Sequence, residues 1–450
     1  MGTLNSRFST FRSPAEDYSM LTDNHKRRLV EEDIISNLPE DLIHPILVRM
    51  PVKDAVRTSV LSKKWRHRWT TMRRLDLRYE FSEKYSNIRA YQHTGLFRIV
   101  NHIMINHKGP ILKFVLHMPE EINFDSFQEV DQWMLILSRN NVRVLDFRNL
   151  HPFYQIPSSV FSCRELRALL LSKCILKPPL EFPGFPNLRY IFLLKVNFGS
   201  NVGQTVINLP HLKKLKLHSC VNVNNFNIRA VKLRTLKVVN CLDAMLLRLL
   251  HSKRLSAVHI SLGKSMQGLQ VERYSLARML RKLPKLVTLT LDGYFLKFLA
   301  AEKFPSSLPH AIKCLQELTF QRFSFGDLDQ LQGVLCMLRN SPSLKVLRVT
   351  HMQMGPEADS ELTSKYIESL DCLDQTLFML KTVEITSLEG SRPELLFVKL
   401  LLDRSPHLES MIIRPGAKVD VEKRLNIAKD VMLFPRVSSK AKMVYLDPEL

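Results

Sequence analysis

An apolar pattern of the form L-x-x-L-x-L recurs along most of the chain and restricts its possible folds more than any other feature. One complete copy, with the residues that follow it, is Leu166, Leu169, Leu171, Cys174 and Leu176. Other copies begin at Leu188, Leu212, Leu233, Leu255, Leu286, Leu315, Leu344, Leu380 and Leu408, and degenerate ones begin at Ile111 and Val142. The starts lie about 21 to 24 residues apart between Val142 and Leu255, and about 28 to 36 apart after Leu255. Repetition at such a period indicates a stack of similar structural units.

Each copy has the physical properties of a leucine-rich repeat. The alternating L-x-L predicts a short strand with one face directed inward. A single unit cannot bury its own apolar face, so the units stack into a solenoid with a parallel sheet on the concave side. The longer late units leave room for convex-side helices, and an amphipathic helix is predicted for Asp327 to Arg339. The sequence therefore predicts an α/β solenoid, a leucine-rich-repeat horseshoe.

Three cysteines occupy the position at which a repeat bends after its strand. They are Cys174, Cys220 and Cys241. A cysteine at such a position behaves as a small apolar residue whose side chain can also bond to free backbone groups. Because their wide spacing differs from that of a zinc site, we predict a structural role and no bound metal.

A helical segment precedes the repeats. Its first predicted helix has apolar residues at a three-and-four spacing, namely Leu38, Leu42, Ile43, Ile46 and Leu47. Pro51 ends that helix. A second helix is predicted from Val52, Ala55, Val56 and Val60, and a third from Leu61, Trp65 and Trp69, which stand four apart. A unit of roughly 40 residues buries little surface, so part of this apolar area is expected to meet a neighbouring protein.

The string LPEDLIHPILVRMPVKDAVRTSVLSKKWRHRW within this segment resembles an F-box of the plant form. The resemblance covers residues 33–77 and implies a three-helix unit that docks on a Skp-type adaptor and, through it, on a cullin. The implied adaptor-binding residues are Leu38, Pro39, Leu42, Ile46, Leu47, Val56, Val60, Leu61 and Trp65. Pro45 falls within the first predicted helix, where a proline has no backbone N–H to donate. Either the helix begins late enough to hold Pro45 in its first turn, or the helix is kinked there.

The C-terminal part resembles an FBD domain, the element that follows F-box and leucine-rich segments in plant proteins. The residues that carry this resemblance are Leu380–Ile385, Glu394–Glu409 and Leu433–Arg436. Together the two resemblances identify the chain as similar to plant F-box/FBD/leucine-rich-repeat proteins. The predicted organisation is a disordered tail over residues 1–32, an F-box over 33–77, leucine-rich repeats over 78–368, and an FBD domain over 369–450 that continues the solenoid.

The chain is strongly basic, with 65 Lys and Arg residues against 43 Asp and Glu residues and a formal net charge of +22. Such an excess favours acidic partners and raises the alternative of nucleic acid. The positive charges are scattered, however, with one local concentration inside the segment that resembles an F-box. Steering towards an acidic adaptor accounts for that concentration without nucleic acid.

The residue between the last two apolar positions of each repeat is predicted to point away from the core, so that its copies form a row on the concave face. The row is basic at its centre. We predict a basic patch for an acidic or phosphorylated segment of a target, formed by Lys214, Lys216, His218, Lys237 and His259. The alternative is that these are solvated side chains on an exposed sheet.

No catalytic motif is present in the sequence. It contains no phosphate-binding loop, no nucleophile elbow and no HExxH helix, and 14 Gly residues provide few glycine-rich turns. No cofactor is expected. The longest apolar runs are too short to span a membrane. Seven Cys without a CxxC spacing are typical of an intracellular protein, either cytoplasmic or nuclear.

The sequence therefore favours a non-catalytic substrate-recognition subunit of a Skp–cullin–F-box ubiquitin ligase. The F-box would dock the adaptor, and the repeats would hold a target protein. Two alternatives stay open: a basic scaffold that binds nucleic acid, and an interaction protein that is not coupled to ubiquitination.

Overall fold

The computed structural model describes residues 38–78, 81, 94–118, 127–149, 154–199, 206–241, 252–262, 276–300, 311–352, 360–369 and 376–448. The predicted disordered tail, residues 1–32, lies outside the described residues. The chain divides into two compact units. The first is Met1–Leu75 with Asn106–Pro110, and the second is Asp76–Ile105 with Ile111–Leu450.

The first unit is helical. Its elements are the α-helices α1 (Glu40–Arg49) and α2 (Val52–Arg57), followed by 3-10 helices at Thr58–Val60 and Arg68–Thr71. Its core is formed by apolar side chains that are at most a few per cent exposed, among them Ile43, Leu47, Val52, Ala55, Trp65 and Trp69. These side chains come from α1, α2, the turns that follow and the 3-10 helix Arg68–Thr71, so the segment closes a small core of its own.

Pro45 lies inside α1 rather than in its first turn. The helix begins at Glu40, directly after Pro39, and continues to Arg49. A proline at position 45 has no N–H to donate to the carbonyl of Asp41 four residues earlier. Of the two alternatives that the sequence left open, the structure therefore excludes a helix that begins late enough to hold Pro45 in its first turn.

The predicted third helix is present as turns and a 3-10 helix instead of an α-helix. The N–H of Trp65 donates to the carbonyl of Ser62, and the N–H of Arg68 donates to the carbonyl of Trp65, both in the i to i−3 pattern. The hydroxyl of Thr70 also donates to the carbonyl of His67, at 2.6 Å. Local hydroxyl-to-carbonyl bonds of this kind compete with regular helical bonds, which the apolar spacing alone does not reveal.

The strands of the second unit recur along the chain, and most of them are four to seven residues long. Strand β1 (Arg74–Leu77) spans the boundary between the units. The others are β2 (Lys113–His117), β3 (Val144–Arg148), β4 (Ala168–Ser172), β5 (Tyr190–Leu194), β6 (Ile207–Asn208), β7 (Lys214–His218), β8 (Ile228–Arg229), β9 (Thr235–Val239), β10 (Ala257–Ser261), β11 (Thr288–Asp292), β12 (Glu317–Phe323), β13 (Val346–His351), β14 (Thr382–Leu388), β15 (Ser410–Pro415) and β16 (Lys442–Tyr445). From β2 to β16 the strands form one sheet in chain order, except for β6 and β8, which pair with each other. Every pair within the sheet from β2 onward is parallel, as expected for stacked repeats.

The described helices of this unit lie before β3 and after β10, where the repeats are longer. They are α3 (Thr94–Asn106), α4 (Gln128–Arg139), α5 (Leu276–Arg281), α6 (Gly293–Leu299), α7 (Leu328–Arg339), α8 (Ser360–Glu368), α9 (Arg392–Arg404) and α10 (Val421–Leu433). The predicted helix at 327–339 is confirmed as α7, and the side chain of Asp327 caps it by accepting from the N–H of Gln330. The shorter repeats between β3 and β10 contain only 3-10 turns among the described residues.

A left-handed residue ends the strand in four successive short repeats. These residues are Lys173, Lys195, Ser219 and Asn240, with φ between 51° and 53°. The next residue in each case is buried, and in three of the four it is a cysteine: Cys174, Cys220 and Cys241. The Sγ of Cys220 donates to the carbonyl of Leu193, and the N–H of Cys220 donates to the Sγ of Cys241. The predicted structural role of these cysteines is therefore confirmed.

Candidate functional site

The first unit exposes large apolar side chains although it has a closed core. Leu42 and Ile46 lie one turn apart on α1 and are 53% and 41% exposed. Val60 and Leu61 are 87% and 58% exposed, and Pro39 is also exposed. Apolar groups left in water on so small a unit are typical of a surface that another protein covers. We call Pro39, Leu42, Ile46, Val60 and Leu61 the apolar docking residues.

The remaining predicted adaptor-binding residues are less accessible. Leu38 and Val56 are half-buried. Leu47 and Trp65 are buried, at 2% and 3% exposure. These two side chains pack in the core of the unit, so they can support the apolar docking residues but present almost no surface to a partner.

An open cleft of about 730 Å³ in the first unit has four lysine or arginine side chains in its wall. Lys63, Lys64, Arg68 and Arg73 line it, and Asp41 is the one carboxylate among its lining residues. Positive potential concentrated in a cleft attracts acidic protein surfaces and speeds their encounter. The local cluster of basic residues found in the sequence is thus a physical feature of this unit.

In the second unit, the predicted row of outward residues is confirmed by the strand register. Its members are direct neighbours on adjacent strands in the order Asp146, Leu170, Phe192, Lys216, Lys237, His259, Thr290, Thr319, Arg348 and Glu384. The residues on either side of each member in the strand, such as Leu215 and Leu217 beside Lys216, are buried in the core. We call the side of the sheet that displays this row the open face.

Charges at the two ends of the row are compensated by ion pairs. Near its start, Asp146 Oδ1 lies 3.3 Å from Arg148 Nε. Near its end, Arg348 lies 3.6 Å from a carboxylate oxygen of Glu317 and 3.4 Å from one of Glu384. Ion pairs therefore neutralise much of the charge on both outer parts of the open face.

The centre of the row is different, because its lysines have no carboxylate partner among the described residues. Lys216 and Lys237 are neighbours on β7 and β9, and Lys214 lies two residues from Lys216 on the same face of β7. The Nζ of Lys216 lies 5.9 Å from the ring centroid of Tyr190, within cation–π range. Like charges on adjacent strands repel one another, so an anion at this place would relieve an existing repulsion.

The two histidines of the predicted basic patch do not add positive charge near neutral pH. Burial, with a smaller contribution from the neighbouring Lys237, lowers the pKa of His259 to about 4. Burial also lowers the pKa of His218, with contributions from Lys237 and Lys195. The prediction of a five-residue basic patch is therefore corrected: its charge comes from three lysines, while the neutral imidazoles can donate or accept hydrogen bonds.

Tyr190 is a functional candidate that the sequence analysis did not single out. It lies on β5, is paired in register with Lys214, and has its ring beside Lys216. The sequence alone could have indicated this position of Tyr190. In a strand, the residue directly before the second leucine of a repeat and the residue directly after it point to the same face of the sheet. Tyr190 and Phe192 thus provide an aromatic border to the lysine cluster.

Comparison with known proteins agrees with both units. The F-box domain model matches residues 35–77, and the model described as the At1g61320/AtMIF1 LRR domain matches residues 103–413. The F-box/FBD/LRR-repeat protein At1g13570 of Arabidopsis thaliana is 31% identical over 422 residues, which cover 92% of this chain and 98% of that protein. The putative FBD-associated F-box protein At5g56440 of the same plant is 25% identical over 92% of this chain and its own entire length.

The chain belongs to the F-box/FBD/LRR-repeat family. Members of this family are generally non-catalytic adaptors of ubiquitin ligases. The fold prediction of an F-box followed by leucine-rich repeats is confirmed. The division of the repeats from the FBD domain at residues 368 and 369 stays a prediction.

Within the described ranges, no helix is both long and apolar enough to cross a membrane. Within the same ranges, no group of three or more His, Cys, Asp or Glu side chains is arranged to hold a metal ion.

Proposed function

We propose that this protein is the substrate-recognition subunit of a Skp–cullin–F-box ubiquitin ligase, with the F-box docked on the adaptor and the repeats on a target. The observation that carries the proposal is a small unit that buries Ile43, Leu47 and Trp65 in its core and still exposes Leu42 and Ile46. Complete burial of an exposed leucine or isoleucine side chain by a partner contributes about 1.5 to 3 kcal/mol to the binding free energy. Several such side chains are enough to make the docking of an adaptor specific and strong.

The protein would act by proximity and not by chemistry of its own. Attachment of the F-box to the ligase and of the repeats to a target makes the encounter of the conjugating enzyme with a target lysine effectively intramolecular. The chain would contribute orientation and effective concentration. The basic cleft in the same unit would steer an acidic adaptor towards the F-box.

Co-purification tests the proposed docking of the F-box on an adaptor. The full chain, co-expressed with a Skp-type adaptor, is expected to be recovered as a complex. The double variant Leu38→Ala with Pro39→Ala, which alters the entry to α1, is expected to recover much less adaptor at equal expression. Equal recovery by the variant and the wild type would count against docking through this surface.

We also propose that the open face binds an acidic or phosphorylated segment of the target at its lysine cluster. Lys214, Lys216 and Lys237 are close together and lack carboxylate partners among the described residues, whereas charges farther along the row are paired. Phosphate and carboxylate oxygens form strong charge-assisted bonds with lysine ammonium groups. The neutral ring of His259 beside Lys237 offers a further hydrogen bond.

Proximity labelling with the full chain tests the proposed binding of a target at the lysine cluster. The variant Lys216→Glu with Lys237→Glu is expected to lose a set of labelled proteins that the wild type retains. Lys253→Glu with Arg254→Glu is the matched control, because both residues are exposed and the change in net charge is identical. Unchanged labelling by the first variant would show that the lysines are only solvated side chains.

A further inference from the structure

The last described helix, α10, has two separate apolar faces. One face holds Ile427 and Val431, which are buried against the rest of the second unit. The other face holds Val421, Leu425 and Met432, which are 78%, 54% and 44% exposed. A helix that covers a solenoid needs only the first of these faces, so the second requires a separate explanation.

The exposed face has the spacing of a helix-pairing seam. Val421, Leu425 and Met432, together with the half-buried Ala428, follow one another at intervals of four, three and four residues. At 3.6 residues per turn these positions fall within an arc of about 60°. This is the a/d pattern by which two helices interlock their side chains. We call these four residues the α10 seam.

Charged residues beside the seam show which partner it fits. Glu422 and Lys429 flank it on one side, and Arg424 and Val431 flank it on the other. If two copies of α10 pair in antiparallel orientation, equivalent sides meet, and Glu422 of each copy faces Lys429 of the other. If they pair in parallel, opposite sides meet, and Arg424 faces Lys429 with like charge. The helix is therefore complementary to an antiparallel copy of itself.

We propose that α10 is a dimerisation element, which pairs with α10 of a second copy of the chain about a two-fold axis. In this arrangement Val421 packs against Met432 of the other copy, and Leu425 packs against Ala428. The contact is isologous, as in most homodimers, because the same patch serves on both chains. The dimer would hold two F-box units and two open faces in one assembly, which goes beyond the proposed function.

Sedimentation velocity of the purified full chain over a range of concentrations tests the proposal. The wild type is expected to sediment with the mass of two chains at the highest concentrations. Leu425→Lys with Met432→Lys is expected to sediment as one chain. Ile105→Lys with Leu180→Lys is the control, because it also places two lysines at exposed apolar positions and should leave the dimer intact. Circular dichroism and thermal melting of each variant establish that it is folded.

A charge-swap experiment tests the orientation and keeps the proposal falsifiable if the seam variants unfold. Glu422→Lys alone and Lys429→Glu alone should each weaken the dimer roughly tenfold, since each replaces two attractive contacts by repulsive ones. An equimolar mixture of the two single variants should restore a dimer, and so should the double swap in one chain. A wild type that stays monomeric at every concentration, or a dimer that none of these changes affects, would overturn the proposal.

Discussion

Arg322 donates a hydrogen bond to the carboxylate of Asp292, with its Nη2 atom 2.7 Å from Oδ2, and Asp292 is completely buried. Arg322 reaches this position from the irregularity in β12, where its φ of 49° is left-handed. The same carboxylate accepts from the N–H of Leu262 and caps α6 by accepting from the N–H of Phe295. One arginine thus compensates a buried charge that joins two strand ends to a helix.

Removing this arginine should destabilise the second unit strongly. Arg322→Met leaves the Asp292 carboxylate buried without its cation, which is expected to cost about 3 kcal/mol of unfolding free energy. The measurement is chemical denaturation followed by tryptophan fluorescence. Arg392→Met is the control, because Arg392 pairs with Glu368 at the surface and its loss should leave the unfolding free energy nearly unchanged. Equal losses for the two variants would contradict the importance of the buried pair.

His259 should make stability depend on pH. Its pKa is 6.5 when unfolded and about 4 when folded, so between these values the unfolded chain binds a proton that the folded chain does not. The free energy of unfolding should therefore fall as pH falls from about 6.5 to about 4, and stay constant above that window as far as His259 is concerned.

Because the imidazole is partly exposed, its contribution is expected to be only about 1 kcal/mol between about pH 7.5 and about pH 5. Denaturation of the wild type and of His259→Gln at these two pH values measures it. The variant should lose less stability on acidification than the wild type does. The same loss in both proteins would show that folding does not lower the pKa of His259.

The sequence predicted the strands, and the order of residues on the open face, because a fixed repeat determines both the period and the register. It could not predict the charge of His259, which depends on how far the surrounding side chains remove the imidazole from water. It also missed the α10 seam. Val421, Leu425 and Met432 have the spacing of a core face, and only the burial of Ile427 and Val431 shows that another face of α10 contacts the solenoid.

Pro45→Ala should stabilise α1. The substitution supplies an N–H that can donate to the carbonyl of Asp41, and it removes a ring that crowds that carbonyl. The expected gain is about 1 to 2 kcal/mol in local opening free energy, less than the full cost of an interior proline because the variant's unfolded chain is more flexible. Hydrogen exchange of the α1 amides measures it. Protection equal to that of the wild type would contradict the expectation.

We expect the carboxylate of Glu394 to stabilise the first turn of α9. It is completely buried, and its carboxylate accepts from the N–H groups of Glu389 and Ser391. Glu394→Leu removes these bonds, and we expect it to lower the unfolding free energy by about 2 kcal/mol. Glu361→Leu, at an exposed position on α8, is the control and should change it by less than about 0.5 kcal/mol.

The central claim is that the apolar docking residues of the F-box bind a Skp-type adaptor. Titration calorimetry of the purified full chain with such an adaptor tests it most directly. The account predicts saturable binding by the wild type, a loss of at least about a hundredfold in affinity for Leu42→Asp with Ile46→Asp, and no change for the control Leu180→Asp. Equal affinity in the docking variant and the control, or no binding by a folded wild-type chain, would contradict it.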